Sequence, residues 1–292
     1  MERILFGDNQ FFGVNHMSEE KARAQSMQFK DTESIMRVLD SAYQLGIRVF
    51  MCTTHDRVGD VADIVRRNPQ KYAGFEFYPC MPYAHKYANS VAEVGVLDTI
   101  RRFAPGGLVG TLVQGAYSAV TQDIYALMRM LVDAEMKRFA GVKTPIVFIQ
   151  NIVTDLVLGL KLYDLFPAFV RHVGETYGAE AGFVTMNLPL LVDALERAGI
   201  RNPIVCANIN KIGFRMCGGV DAYRRVISAG RCRAIAMSVL ASGAIPPKEA
   251  IEWACGLEGL HSIVFGASSP GNIRQTKELI EHAWGLNGYS RA

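Results

Sequence analysis

The chain has 292 residues, with Lys+Arg 31 against Asp+Glu 28 and a formal charge of +3. Half of its residues are hydrophobic and a fifth are charged, which excludes a disordered chain and provides apolar side chains for a full core. Its basic residues are scattered along the sequence, so we predict a small-molecule substrate and no nucleic-acid partner.

The cysteine and hydropathy patterns indicate an intracellular protein. Six cysteines occur without CxxC spacing, which predicts reduced and mostly buried thiols. No apolar stretch of about 18 residues is present, and no signal peptide precedes the first predicted strand. We therefore expect a cytoplasmic protein with no membrane partner.

Short β-branched or aromatic runs alternate with helical patterns along the chain. This order is typical of successive βα units around a parallel sheet. The eight predicted strands cover residues 3–7, 48–53, 73–79, 145–151, 182–187, 203–208, 233–240 and 262–267. Eight such units predict a (β/α)8 barrel, an α/β fold known as the TIM barrel.

Two helices between the predicted strands have clear boundaries. In the first, Asp31 is a candidate N-cap, and Gly46 ends an apolar stripe. The second covers residues 121–141, with an apolar, Met-containing face that we interpret as core-facing. It belongs to a helical insertion of about residues 85–143, between strands 3 and 4 of a single domain over residues 1–292. The run GLVGTLVQGA at 107–116 could be a helix or a ninth strand.

Polar residues follow each predicted strand. In a (β/α)8 barrel these positions converge on one mouth, where active sites lie. Asn, Ser and Thr at such positions also cap the helices that follow, so each residue has an ordinary structural interpretation. We predict that the substrate is bound by seven of them: Asn9, Gln10, Tyr78, Gln150, Asn187, Asn208 and Lys211.

Several segments together resemble the aldo-keto reductase superfamily. "GFVTMN" is similar to that family's fifth strand, "AIAMSVLASGAI" to its seventh, and "SIVFGASSPGNIRQT" to its last strand and the helix after it. "LGIRVFMCTTHDR" occupies the place of the second strand, and "FGDNQFFG" resembles the first. The resemblance covers most of the chain outside residues 85–143.

The resemblance implies an NADP-binding site on the loops after strands 7 and 8. Small residues there leave backbone N–H groups accessible at a helix start, where the dipole favours phosphate. Asn187 would face the nicotinamide carboxamide. The carried-over cofactor residues are Ser238, Leu240, Gly266, Ala267, Ser268, Arg274 and Thr276.

The family's catalytic residues are absent. Met51 stands in the place of the family's aspartate, Asp56 in that of its tyrosine acid and Gln150 in that of its histidine, and no lysine ends strand 3. The aromatic residue that stacks on the nicotinamide is replaced by Met237. Loss of a proton donor typically costs 10²- to 10⁴-fold in rate, so the standard ketone reduction is not expected.

His55 and Asp56 are the best replacement acid and base, with Asp8 as a further proton-transfer group. The structural alternative is that His55 caps the next helix while Asp56 pairs with Arg57 or Arg66. No histidine or carboxylate spacing is diagnostic of a metal, so no metal ligand is assigned. A Schiff base on Lys211 is a further alternative.

Three functions are compatible with these residues. The first is lyase or isomerase chemistry, by acid and base catalysis, on a small polar substrate that could carry phosphate or carboxylate. The second is an NADP-dependent oxidoreductase whose proton donor is rebuilt from Tyr78, Tyr83 or His55. The third is a catalytically silent barrel that binds a ligand. His16, near the amino-terminal polar run, is a candidate lid residue.

Overall fold

The computed structural model describes residues 1–13, 19–82 and 116–286. Eight parallel strands close into a barrel in which each pairs with the next and β8 pairs with β1. They are β1 (Ile4–Phe6), β2 (Val49–Thr53), β3 (Glu76–Met81), β4 (Ile146–Ile149), β5 (Glu180–Thr185), β6 (Ile204–Asn208), β7 (Arg233–Met237) and β8 (Leu260–Phe265). The predicted (β/α)8 barrel is confirmed.

Helices alternate with the strands and form the outer layer. The α-helices of the described ranges are Glu19–Gln28, Thr32–Gln44, Asp56–Arg67, Ala116–Met136, Asn151–Gly159, Leu165–Tyr177, Leu188–Arg197, Gly219–Ser228, Pro247–Cys255 and Pro270–Ala283. Short 3-10 helices occupy Asn9–Phe12, Lys137–Phe139 and Ala241–Gly243. None of these helices combines the length and the apolarity needed to cross a bilayer.

Local sequence explains where the two predicted helices begin and end. Asp31 accepts a hydrogen bond from the Ser34 backbone N–H at 2.8 Å and so caps the helix Thr32–Gln44. Gly46 follows its end in the left-handed conformation, at a φ of 88°. Gly141, with a φ of 80°, likewise follows the second helical segment. Both predicted stop signals are confirmed.

The apolar side chains form two clusters. One lies between the strands and the surrounding helices, and the other fills the barrel interior. The interior cluster contains Leu5, Val49, Met51, Tyr78, Cys80, Ile146, Phe148, Val184, Ile204, Cys206 and Ile235. Gly182 faces Phe148 so closely that a Cβ there would lie 2.3 Å from a ring carbon. The barrel is therefore a packed core, and ligands must bind above it.

Several predicted boundaries differ from the observed ones. β7 ends at Met237 rather than at residue 240, because Ser238 turns into the left-handed region with a φ of 55°. β3 covers residues 76–81 rather than 73–79, after a turn at Gly74 with a φ of 74°. Residues 107–115 lie outside the described ranges, and the predicted limits of the insertion stay a prediction. All six cysteines are free thiols and four of them are buried.

Candidate active site

The carboxyl ends of the eight strands meet at one mouth of the barrel, as the parallel closed topology requires. Asp8, two residues after β1, is 6% exposed there. Its Oδ2 accepts hydrogen bonds from the backbone N–H and the hydroxyl of Thr53, both at 2.7 Å. Burial raises the pKa of Asp8 above its ordinary 3.8, and the Thr53 bonds offset part of this rise. Asp8 is thus a buried carboxyl group at the mouth.

Gln10 is almost fully buried in the 3-10 helix that follows Asp8. Its Nε2 donates to the Gly7 carbonyl at 2.8 Å, whereas its Oε1 has no partner in the described part of the chain. A Cβ at Gly266 would lie 2.0 Å from this oxygen. The Gln10 amide therefore packs against the β8 loop, and a side chain at position 266 would have to displace it.

His55 is the N-cap of the helix Asp56–Arg67. Its Nδ1 accepts from the Arg57 backbone N–H at 3.1 Å, and its ring stacks on Phe12 with centroids 4.2 Å apart. Burial, followed by the positive charge of Arg57, lowers the pKa of His55 below 6.5. The capping role considered from the sequence is confirmed. A proton-transfer role for the same ring stays a prediction.

The cap predicts a pH-dependent loss of stability in His55→Ala. We expect a loss of about 1 kcal/mol in unfolding free energy at pH 8, the usual value of an N-cap. Because the folded-state pKa of His55 is lowered, its stabilising contribution is present above pH 6.5 and is lost as pH falls through the folded-state pKa. Urea unfolding at pH 8 and pH 5 should show the difference shrinking, while His55→Asn should retain most of the cap. An equal loss at both pH values would contradict this assignment.

Asp56 lies in the first turn of the same helix and is mostly exposed. Its Oδ1 contacts Nη2 of Arg138 at 2.5 Å, with 71% of the Asp56 side chain accessible. The structural alternative placed Arg57 or Arg66 as its partner, and among the described residues neither arginine forms an ion pair with Asp56. Arg57 donates to the Phe29 carbonyl, and Arg66 pairs with Asp63 and donates to backbone oxygens near Arg138.

Two other predicted site residues lie in different surroundings from those expected. Tyr78 is 1% exposed, and its hydroxyl donates to Glu76 at 3.3 Å, at the start of β3 rather than at its carboxyl end. Burial, with the nearby Glu76 carboxylate, raises the pKa of this phenol. Lys211 is exposed and pairs with Glu249 at 2.7 Å, outside the barrel interior. These positions argue against Tyr78 as a ligand of the mouth and against Lys211 as an interior Schiff-base lysine.

The predicted amide ligands mostly hold turns. Asn187 caps the helix Leu188–Arg197 by accepting from the Leu190 N–H at 3.3 Å. Asn208 is buried, and its Nδ2 donates to the Arg215 carbonyl at 3.2 Å. Gln150 is half-buried at the N-cap position of the helix Asn151–Gly159, and Asn9 is exposed. Substrate contacts by these four residues stay predictions. His16 and Tyr83 lie outside the described residues.

Asp155, which was not among the residues predicted from the sequence, forms hydrogen bonds at the end of β5. Its carboxylate accepts from the Thr185 hydroxyl at 2.5 Å and from the Met186 N–H at 3.0 Å. The Tyr223 hydroxyl donates to the Met186 carbonyl at 2.6 Å. Burial raises the pKa of Asp155. These bonds connect the helices Asn151–Gly159 and Gly219–Ser228 to the turn that carries Asn187. The bonded residues are far apart in the sequence, so no local sequence pattern predicts them.

The loop after β7 is conformationally unusual. Ser238, Ala241 and Ser242 have φ values of 55°, 46° and 58°, in the left-handed region that favours glycine. The Ala241 N–H donates to the Ser238 carbonyl at 2.8 Å. The N–H groups of Val239, Leu240 and Ser242 have no acceptor in the described part of the chain. Such groups can serve as anion donors.

The loop after β8 leads into the helix Pro270–Ala283. Ser269 caps this helix by accepting from the Asn272 N–H at 3.3 Å. Ser268 and Thr276 are half-buried and Arg274 is exposed. In the described part of the chain Arg274 has neither an ion-pair nor a hydrogen-bond partner. A guanidinium near a helix N-terminus suits a phosphate group.

These two loops fit the phosphates of NADP in part. Donors are supplied by the N–H groups after β7 and by the helix start at Pro270. Positive charge is supplied by Arg274, which has no ion-pair partner among the described residues. Gly266 does not add to this fit, because the buried Gln10 amide already accounts for the missing Cβ. Among the described residues, no group of three or more histidine, cysteine or acidic side chains could hold a metal ion.

No model of a protein family and no curated protein matches the sequence, but solved structures do. A Pseudomonas aeruginosa protein assigned to the aldo-keto reductases is 15% identical, with a TM-score of 0.62 over 97% of this chain and 90% of that chain. Giardia lamblia aldose reductase is 12% identical, with a TM-score of 0.56 over 97% and 90%. An aldo/keto reductase from Brucella melitensis is 10% identical, with a TM-score of 0.56 over 97% and 92%. The fold implied by the sequence resemblance is thus confirmed, and the chain has the barrel fold of the aldo-keto reductases.

Proposed function

We propose that this chain is an NADP(H)-dependent oxidoreductase acting on a small polar substrate at the barrel mouth. The observation that carries the proposal is the loop after β7, where three backbone N–H groups have no acceptor in the described part of the chain. The loop after β8 adds Arg274 and the start of a 14-residue helix. The similar structures named as reductases support the same reaction class.

The proposal assigns the cofactor phosphates to the loops after β7 and β8. Leu240 and Ser242 would donate backbone N–H groups, Ser268 and Thr276 their hydroxyls, and Arg274 its guanidinium. Ser238 and Gly266 would shape the loops rather than donate. When bound, NADPH supplies a hydride. The residues of the mouth must then orient the substrate, exclude water and provide a proton.

Asp8 is the proposed proton-transfer group. Its burial raises its pKa, so its protonated fraction near neutral pH exceeds that of an exposed aspartate. His55 is the second candidate, although its lowered pKa makes it mostly neutral at pH 7. It would therefore act more readily as a base or hydrogen-bonding group than as an acid. Asp56 is less favourable, since it is exposed and paired with Arg138.

Arg274→Ala tests the cofactor assignment. We expect NADPH binding to weaken about ten-fold or more, because a charge-assisted bond to phosphate contributes about 1.5–3 kcal/mol. NADH lacks the 2′-phosphate and binding of NADH should change less. Fluorescence titration of the purified chain measures both affinities. Arg67→Ala, an exposed arginine at the end of the helix Asp56–Arg67, is the matched control. No NADPH binding by the wild type would reject the oxidoreductase proposal.

Acid and base chemistry of the lyase or isomerase type is the second candidate. It is favoured by Met51, which is buried in the barrel interior where the resemblance implies an aspartate. Without that carboxylate the standard carbonyl-reduction machinery cannot assemble. Asp8 and His55 would serve this chemistry too. Turnover of a substrate without any nicotinamide cofactor would favour this candidate, whereas ligand binding without turnover would favour a silent barrel.

A further inference from the structure

A cleft of about 350 Å³ lies between the helices Ala116–Met136 and Leu165–Tyr177. It belongs to the outer helical layer and contains none of the residues proposed for the barrel mouth. Its walls include Arg129 from one helix, and Pro167, Arg171, His172 and Glu175 from the other, with Asp164 just before it. The volume suffices for a small organic molecule.

Both arginines line the cleft instead of pairing with a nearby carboxylate. Arg129 has Asp133 four residues later, and Arg171 has Glu175 four residues later. Carboxylate and guanidinium at this helical spacing can form a surface ion pair. Within the described ranges, however, neither arginine has a carboxylate oxygen within the 4.0 Å of an ion pair. Two guanidinium groups therefore border the cleft, and neither forms an ion pair with another described residue.

His172, one of the residues that line this cleft, is held in place by side-chain contacts. Nε2 of His172 lies 2.7 Å from Asp133, and Nδ1 lies 3.3 Å from the Thr176 hydroxyl. The Tyr177 hydroxyl donates to the same Asp133 carboxylate. Asp133 is thus in contact with His172 and Tyr177, and among the described residues it forms no ion pair with Arg129. The orientation of the His172 ring in the wall is fixed before any ligand binds.

The cleft also contains negative charge. Asp164 and Glu175 line it, and neither forms an ion pair within the described part of the chain. A cleft bordered by two cations and two anions, none of which forms an ion pair with another described residue, is complementary to a ligand that carries both signs. We propose that it binds a small zwitterion of the amino-acid class. The carboxylate would contact Arg129 and Arg171, and the ammonium group would contact Asp164 and Glu175.

Calorimetric titration of the full chain with three probes of similar size tests this site. The probes are 5-aminopentanoate, which carries both charges, pentanoate and pentylammonium. We expect 5-aminopentanoate to bind about ten-fold or more tightly than either singly charged probe, since each lost charge leaves a pair of protein groups unmatched. Arg129→Ala and Arg171→Ala should each weaken its binding by about ten-fold.

Arg224→Ala, an exposed arginine on the helix Gly219–Ser228, is the matched control and should bind 5-aminopentanoate like the wild type. Thermal melting confirms that each variant is folded. The proposal is overturned if the wild type binds no 5-aminopentanoate at about 20 mM, a concentration far above a millimolar Kd. Equal affinity for all three probes, or for the wild type and both arginine variants, overturns it as well.

Discussion

Gly182→Ala should lower the free energy of unfolding by about 2–3 kcal/mol, the upper part of the range for overpacked cores. An alanine Cβ at this position would lie 2.3, 2.4 and 2.8 Å from three carbons of the Phe148 ring. Phe148 is fully buried among the interior side chains and its ring lies 6.2 Å from that of Tyr78. The ring cannot move away without displacing other side chains, so strain must appear in the barrel.

Urea unfolding of the wild type, Gly182→Ala, Phe148→Leu and the double variant measures the energetic coupling between residues 182 and 148. Phe148→Leu should cost stability by leaving a cavity, but it should also relieve much of the Gly182→Ala defect in the double variant. Gly174→Ala is the matched control, because Gly174 is in a helix with nothing within 4 Å of its Cβ position. It should be neutral or slightly stabilising. A Gly182→Ala variant as stable as the wild type would disprove the packing of the barrel interior described above.

Asp8→Asn should reduce kcat/KM by about 10²- to 10⁴-fold once a substrate is identified, the usual effect of losing a proton-transfer group. The asparagine oxygen can still accept from Thr53, so NADPH binding should be unchanged. Thr53→Val provides a second readout. Valine removes the hydroxyl bond that lowers the pKa of Asp8, whereas the backbone N–H bond of residue 53 remains. Loss of the hydroxyl bond should raise that pKa and move the corresponding limb of the pH–rate profile to higher pH.

The stability of Asp8→Asn gives a test that needs no substrate. Since the folded-state pKa of Asp8 is raised above 3.8, protonation favours the folded protein. The contribution of this group is complete below pH 3.8 and is lost as pH rises through the folded-state pKa. Relative to the variant, which does not titrate there, the wild type should gain stability as pH falls from 7 towards 4. A difference independent of pH would show that burial does not raise this pKa.

Most of the barrel could be predicted from the sequence because its signals are local. Short apolar runs mark all eight strands, and Asp31 and Gly46 mark a helix at both ends. The predicted ends of the strands were less accurate where the backbone conformation of one residue ends the strand. Ser238 ends β7 by entering the left-handed region, which no side-chain pattern at that position indicates.

The candidate site was predicted less well because its contacts are long-range. The carboxylate of Asp155 accepts a hydrogen bond from Thr185, thirty residues away, and the Gln10 amide occupies the space that a side chain at position 266 would need. His55 and Asp56 are neighbours in the sequence, but their side chains have different partners in the fold. His55 caps a helix, whereas Asp56 forms an ion pair with Arg138. Strand-end positions could thus be identified, whereas the partners of their side chains could not.

Hydrogen exchange of the backbone amides with and without NADPH tests the proposed cofactor site most directly. We expect slower exchange in residues 238–245 and 266–276, where backbone N–H groups and the helix start would contact phosphate. Exchange in the helices Ala116–Met136 and Leu165–Tyr177 should be unchanged. No change in either loop at saturating NADPH, or protection confined to those two helices, would contradict a cofactor site on the loops after β7 and β8.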